Sequence, residues 1–208
     1  GYEIGSVGTV MPDVEVKIGE NNEILLRGKT ITTGYYKKPE ATAASSDRDG
    51  WFHTGDAGYL KDSHLYLTER IKDLFKTSNG KYISPQALET KLAIDRYIDQ
   101  IAVIADERKF VSALIVPVYG FVKDYAKEKG IAYSNMDELL QHPKIQALFR
   151  ARIDTLQQQF AHYEQVKRFT LLTEPFSMER GELTNTLKLK RSVVAKNYKG
   201  LIDKMYEE

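Results

Sequence analysis

Gly50-Trp51-Phe52-His53-Thr54-Gly55-Asp56, followed by Glu69-Arg70-Ile71-Lys72-Asp73, is a polar island set among short alternating segments. A second island, Gly181-Glu182-Leu183-Thr184-Asn185-Thr186-Leu187-Lys188-Leu189-Lys190-Arg191, stands far downstream. Outward from the first island the chain reads as β structure. Val14, Val16 and Ile18 alternate with polar residues, as a half-buried strand requires. Gly19-Glu20-Asn21-Asn22 is turn chemistry, and residues 23–27 predict the returning strand. Residues 37–42 predict a turn into a short helix. Residues 57–60 and 65–69 predict a hairpin closed by Lys61-Asp62-Ser63-His64.

After Arg70 the pattern changes. Residues 75–83 predict a two-strand excursion that turns at Ser78-Asn79-Gly80. Ser84-Pro85 is a helix start, with Ser at the N-cap and Pro at the first helical position, and the helix runs over 86–92. Residues 101–104 and 111–118 are apolar and β-branched, joined by the charged turn Asp106-Glu107-Arg108-Lys109. Helices follow over 121–129, 137–140 and 144–160, the last with Ile145, Leu148, Phe149, Ile153 and Leu156 on one stripe. A short strand over 169–172 and a terminal helix over 193–205 complete the pattern. The class is α+β: a β-rich piece over residues 1–71, then an α+β domain over 72–208.

Composition bounds the function. The chain has 208 residues, enough for one large domain or two small ones, with a net charge of +1. That balance, and the lack of an aromatic-basic stacking platform, argue against nucleic acid. With no cysteine there is no disulfide, thiol nucleophile or cysteine metal site, which fits a reducing compartment. No apolar run reaches the roughly 20 residues that span a bilayer. The four histidines have no metal-like spacing, so no metal site is expected. Ser45, Ser46 and Ser78 have no visible base partner for hydrolase chemistry. The chain opens with Gly1-Tyr2-Glu3, with neither an initiator Met nor a signal segment, and reads as a piece of a longer protein.

Several residues can carry chemistry. A buried carboxylate after a glycine, as at Asp56, can take two charge-assisted hydrogen bonds from a vicinal diol such as ribose; the plain alternative is a turn Asp. Gly80 permits positive φ and close backbone approach, and Lys76 and Lys81 can meet phosphate charge; the alternative is a solvated hairpin. Lys188 offers a mobile point charge suited to a carboxylate oxygen and a phosphate oxygen together. The segment from Ser177 to Asn185 has the composition of a flexible loop. The alternative there is a basic patch, with Lys188, Lys190 and Arg191 on a solvated face. From spacing alone Lys72 is a surface lysine.

The run Gly34-Tyr35-Tyr36-Lys37-Lys38-Pro39-Glu40-Ala41-Thr42, then residues 50–56, Arg70 and the 183–191 island resemble, in order and spacing, the C-terminal portion of AMP-forming acyl-CoA synthetases, in the adenylate-forming superfamily. The 183–191 island is most similar to the long-chain fatty-acid branch. The resemblance implies that residues 1–71 are the last, β-rich part of a large AMP-binding domain with a distorted barrel-like sheet. It makes residues 72–208 a mobile lid. Asp56 and Arg70 would hold the adenosine ribose, Lys72 would be the hinge, Gly80 and Lys76 would line the CoA path, and Lys188 would catalyse adenylation. Glu69 stands where relatives more often carry Gly or Asp, and Asn185 where many carry Pro.

The implied reaction joins a fatty acid to CoA with ATP, by way of an acyl-adenylate, with Mg²⁺ arriving on ATP. The phosphate-gripping loop and acyl pocket would lie upstream, so the piece alone is expected to be inactive. A cytoplasmic enzyme is expected, and its greasy substrate keeps peripheral membrane contact open. Two other readings remain: a module that loads a carrier protein, and a non-catalytic scaffold of the same fold.

Overall fold

The structure, a computed structural model, describes residues 3–207. Gly1 and Tyr2, where the sequence opens, and Glu208 lie outside the described residues. The chain divides into two compact units, one ending at Leu74 and the other beginning at Phe75.

The first unit is an open antiparallel sheet. Its strands are β1 (Gly8–Thr9), β2 (Val14–Ile18), β3 (Glu23–Gly28), β4 (Phe52–Lys61) and β5 (His64–Arg70), in the order β1-β5-β4-β3-β2. β1 and β2 are its edges, so it does not close into a barrel. A short helix, α1 (Pro39–Ala44), begins at the proline. Turn chemistry sets the register. Asn21 and Asn22 both take left-handed φ between β2 and β3, a conformation that Asn tolerates better than most residues. Asp62 and Ser63 do the same between β4 and β5, and their twist matches that of the paired strands. Ile24, Leu25 and Ala57 form the small buried centre.

In the second unit, β6 (Phe75–Lys76) and β7 (Tyr82–Ile83) form a hairpin that leads into α2 (Pro85–Leu92). Ser84 caps this helix, its Oγ accepting from the Ala87 amide at 3.2 Å. Then come β8 (Ile98–Ile104), β9 (Val111–Pro117), α3 (Tyr119–Glu128), α4 (Met136–Gln141), α5 (Pro143–Leu156) and β10 (Val166–Leu171). The last helices are α6 (Arg191–Asn197) and α7 (Lys199–Lys204).

The sheet order is β10-β9-β8, with β10 parallel and β8 antiparallel to the central β9. Every residue of β9 is buried, because both faces are covered. Ala113 and Ile115 face a core with Leu88, Phe149 and Ile153 from α2 and α5. Leu114 and Val116 face a second core with Phe176, Val194 and Ile202. The period of two along β9 thus builds two layers of helix on one sheet.

Several element boundaries differ from the sequence expectation, three of them with a clear physical cause. The α5 helix stops at Leu156 instead of Phe160, because the buried Gln157 turns its amide onto β10. Its Oε1 accepts from the Val166 amide at 2.8 Å, and its Nε2 donates to the Val166 carbonyl at 3.3 Å. This pairing also starts β10 earlier than Phe169. The single terminal helix is two helices that meet at Tyr198, whose backbone leaves the helical region while its ring packs edge-on against Phe176.

Candidate functional site

The Asp56 carboxylate is placed by a bulge. Leu25 pairs with His53, yet Glu23 pairs with Ala57, so β4 carries two extra residues across one step of β3. Gly55 takes φ +71 within this bulge. The surplus is held from three sides. Thr54 Oγ1 donates to the Ile24 carbonyl at 2.7 Å and accepts from the Asp56 amide at 3.1 Å. Glu23 Oε1 accepts from the Gly55 amide at 3.0 Å, and its Oε2 lies 2.9 Å from His53 Nδ1.

Asp56 emerges opposite Arg70 on β5, with 3.4 Å between Oδ1 and Nε. Asp56 was expected to be buried. It is half-buried, at 36% side-chain exposure, because the bulge turns it toward the surface, and Arg70 is 74% exposed. A weakly tied, accessible pair of this kind has a free carboxylate oxygen for a diol. Lys72 is exposed in a single 3₁₀ turn, Ile71–Asp73, that follows β5.

The β6–β7 hairpin is anchored to the turn that joins β8 and β9. The Lys76 amide donates to Asp106 at 3.2 Å, the Glu107 amide to the Lys76 carbonyl at 2.8 Å, and the Ser78 amide to the Arg108 carbonyl at 3.0 Å. The hairpin is therefore clamped to the β8–β9 turn. Buried Thr77 closes its bend, with 2.9 Å from its amide to the Lys81 carbonyl. Gly80 takes φ +75 with open space beside it, so backbone is bare at the tip. The ammonium groups of Lys76 and Lys81 lie 5.8 and 5.5 Å from the rings of Tyr82 and Tyr163.

Lys188 sits at the end of a tight turn. Leu183 and Leu189 pair as an isolated bridge at its base. The Thr184 amide donates to the Lys188 carbonyl at 2.8 Å, and Thr184 Oγ1 accepts from the Lys188 amide at 3.1 Å. Lys188 is exposed, and no ion pair holds its ammonium among the described residues. The segment before it is stitched where a loose approach was expected. Glu182, 1% exposed, accepts from the Ser177 amide at 3.0 Å, from Arg180 at 3.0 Å and from Asn197 Nδ2 at 3.1 Å. Burial pushes its carboxyl up, but the Arg180, Ser177 and Asn197 donors outweigh burial and hold it below the usual range.

Arg191 does not belong to a solvated basic patch. It pairs with Glu89 through two bonds of 2.6 Å, and Glu89 also accepts from the Val103 amide at 2.8 Å.

Asp56 and Arg70 thus meet in the first unit, while Lys76, Gly80 and Lys188 belong to the second. Sequence reasoning assigned no role to Glu23, Glu89 or Glu182. Glu182 had a signal in its place within the second island, and Glu23 in its strand register opposite the 50–56 island. Among the described residues no group of three or more His, Cys, Asp or Glu side chains could hold a metal ion. No helix among them is long and apolar enough to cross a membrane.

Comparison with known proteins places this geometry. The chain is 35% identical to "Long chain acyl-CoA synthetase 7, peroxisomal" of Arabidopsis thaliana, over 98% of its own length and 32% of the relative's. It is 32% identical to "Long-chain-fatty-acid--CoA ligase FadD15" of Mycobacterium tuberculosis, over 99% of its length and 34% of the relative's. The chain therefore spans about a third of the length of these curated relatives. Among solved structures, the adenylation domain of a carboxylate reductase from Mycobacterium chelonae superposes with a TM-score of 0.70 at 26% identity. That match covers 97% of this chain and 32% of the other. Residues 72–208 match the family described as "AMP-binding enzyme C-terminal domain", and the chain belongs to that family.

Proposed function

We propose that this chain is the C-terminal portion of an ATP-dependent long-chain fatty acid–CoA ligase. The substrate class follows from the names of relatives that match along nearly all of it. The observation that carries the chemistry is the presentation of Lys188, an unpaired ammonium on a hydrogen-bonded turn. In the first half-reaction a carboxylate oxygen attacks the α-phosphorus of ATP and pyrophosphate leaves. Two anions must approach one another, and a fixed cation between them lowers the barrier. Asp56 accepts from the ribose hydroxyls, and Arg70 supports them. In this reading Mg²⁺ enters on the phosphates of ATP.

In the second half-reaction the CoA thiolate attacks the acyl carbon and AMP leaves. Lys72, in the turn before the unit boundary, is the pivot that exchanges Lys188 for the Gly80 hairpin. The clamp of that hairpin to the β8–β9 turn suits a part that moves as one body. Bare backbone at Gly80, with Lys76 nearby, suits close passage of the thiol arm. The domain limits in this reading are 1–71 and 72–208. We place the enzyme in the cytoplasm, with peripheral membrane contact left open by its greasy substrate.

The test is fatty-acid-dependent ATP–pyrophosphate exchange by the full-length parent, wild type beside Lys188→Ala. Exchange that collapses in the variant is the expected result, and no exchange with any carboxylic acid would return the chain to a scaffold role. A second reading, a module that hands its acyl group to a carrier protein, draws on the fold shared with a carboxylate reductase adenylation domain. It predicts exchange without free acyl-CoA. The fragment alone, given ATP, fatty acid and CoA, is expected to make no acyl-CoA.

A further inference from the structure

We propose that Glu182 is a positioning residue for Lys188, fixing the base of the turn from which the lysine reaches the reacting groups. The inference rests on the adenylation role given to Lys188 above.

Glu182 is the only buried glutamate among the described residues. It cannot touch substrate from there, and its side chain makes no contact with Lys188. Its bonds go to three other places. Oε2 accepts from the Ser177 amide, which starts the approach to the turn. Both oxygens accept from Arg180 Nε at 3.1 Å, and Oε1 accepts from Asn197 on α6 at 3.1 Å. Its main chain does the rest. The Glu182 amide donates to the Ser177 carbonyl at 3.0 Å, and the Glu182 carbonyl accepts from the Lys190 amide at 2.8 Å. One residue therefore ties together the segment entering the turn, the segment leaving it and the helix that follows.

Beyond this base the turn works against its sequence. Leu187, the residue before Lys188, has φ 60 and is 67% exposed. A bulky residue rarely adopts that left-handed backbone unless its surroundings impose it. Here the Leu187 amide is held to the Thr184 carbonyl at 2.8 Å. The turn has no buried side chain of its own at residues 185–188, so its orientation is inherited from the Glu182 base. Small displacements of a charged group from a reacting centre cost rate steeply. A carboxylate at the base thus controls an ammonium at the tip without touching it.

The test uses the full-length parent and two half-reactions. One is ATP–pyrophosphate exchange with fatty acid; the other is thioester formation from chemically prepared acyl-adenylate and CoA. Glu182→Ala is expected to lower the kcat of exchange by about 30- to 100-fold, with the KM values for ATP and fatty acid within about twofold. Thioester formation should stay within about twofold. Glu182→Gln keeps one acceptor oxygen, enough for the Ser177 amide or for Asn197 but not for both, and should restore about a tenth or more of the exchange rate. If Glu182→Ala does not fold, Glu182→Gln and Asn197→Ala carry the test, and each should lower exchange selectively. Equal losses in both half-reactions, or exchange unchanged in all three variants while Lys188→Ala abolishes it, would overturn the positioning role alone. Exchange that survives Lys188→Ala would instead overturn the reading on which it rests.

Discussion

Glu89→Ala is expected to destabilise the second unit more than Arg191→Ala, although both remove the same ion pair. Glu89 holds three donors. Its Oε1 accepts from Arg191 and from the Val103 amide, and its Oε2 from Arg191 again. Val103 is 1% exposed on β8, an edge strand, so its amide has neither a neighbouring strand nor water to replace Glu89. An orphaned buried amide costs about 1–3 kcal/mol. The lost partner of Arg191, whose side chain is 31% exposed and can rehydrate, adds about 1 kcal/mol. The total for Glu89→Ala is about 2–4 kcal/mol. Arg191→Ala leaves Glu89 bonded to Val103, and truncating the arginine opens the 13% exposed carboxylate to water, so the cost should be about 1–2 kcal/mol, including lost packing over Phe75. Glu89→Gln keeps an acceptor for Val103 and should cost about 1 kcal/mol.

Urea unfolding of the chain, followed by far-ultraviolet circular dichroism, measures all three. Unchanged slopes would show that the midpoints report stability. In the double variant the loss should fall short of the sum of the single losses, since the pair is removed only once. Equal costs for Glu89→Ala and Arg191→Ala, or less than about 0.5 kcal/mol for the former, would refute the claim that the Val103 amide makes this carboxylate indispensable.

Gly58→Ala should destabilise the first unit by about 3 kcal/mol, read from the fluorescence of Trp51, because its Cβ would stand 2.2 Å from the Tyr66 carbonyl on the paired strand. Gly200→Ala, with open space in α7, should stabilise by about 0.5–1 kcal/mol. In the full-length parent, Asp56→Ala should raise the KM for ATP by about 10- to 100-fold, the worth of one or two bonds to a charged acceptor. Glu23→Ala should raise it less, by releasing the bulge that aims Asp56, and no change would separate Glu23 from the site. Tyr119 is pushed up to about 12, first by burial and then by the nearby Asp99 and Glu174. Its folded pKa is raised, so its contribution is intact below about pH 10 and is lost as pH climbs toward 12. Tyr119→Phe should flatten that alkaline fall in stability, and an unchanged pH profile would refute it.

The elements legible in the sequence were those with local causes. Alternation gave β2, the left-handed Asn and Asp-Ser pairs gave the hairpins, and Ser84-Pro85 gave the start of α2. The residues of the two polar islands were legible through resemblance. What was not legible depends on partners far apart in the chain. Gln157 ends α5 because Val166 returns to meet it, and nothing in residues 144–160 announces that meeting. Arg191 looked like part of a solvated basic cluster until Glu89, 102 residues away, came to face it.

Those hidden partners have a chemistry in common. Glu23 grips the bulge that carries Asp56, Glu89 fixes the first turn of α6 through Arg191, and Glu182 fixes the base of the Lys188 turn. In each case the carboxylate accepts from a backbone amide with one oxygen and binds a second group as well. A carboxylate suits this task because its two oxygens offer about four lone-pair directions and it donates nothing when ionised. It can therefore join a main-chain bend to a side chain from another element, which a hydroxyl or a single amide does less firmly. The groups expected to meet substrate are left with few bonds of their own: among the described residues Lys188 has no ion pair, and Asp56 only the 3.4 Å approach of Arg70. Rigidity at the anchor and freedom at the tip are what a site needs when the same lysine must enter for one half-reaction and withdraw for the next. Acidification separates the two. Glu182 is held below the usual carboxylate range, so its contribution is complete above about pH 4.5 and fades as pH falls further. Glu182→Gln should therefore lose stability less steeply than the wild type below that pH, and matching acid limbs would show that Glu182 carries no such anchor charge.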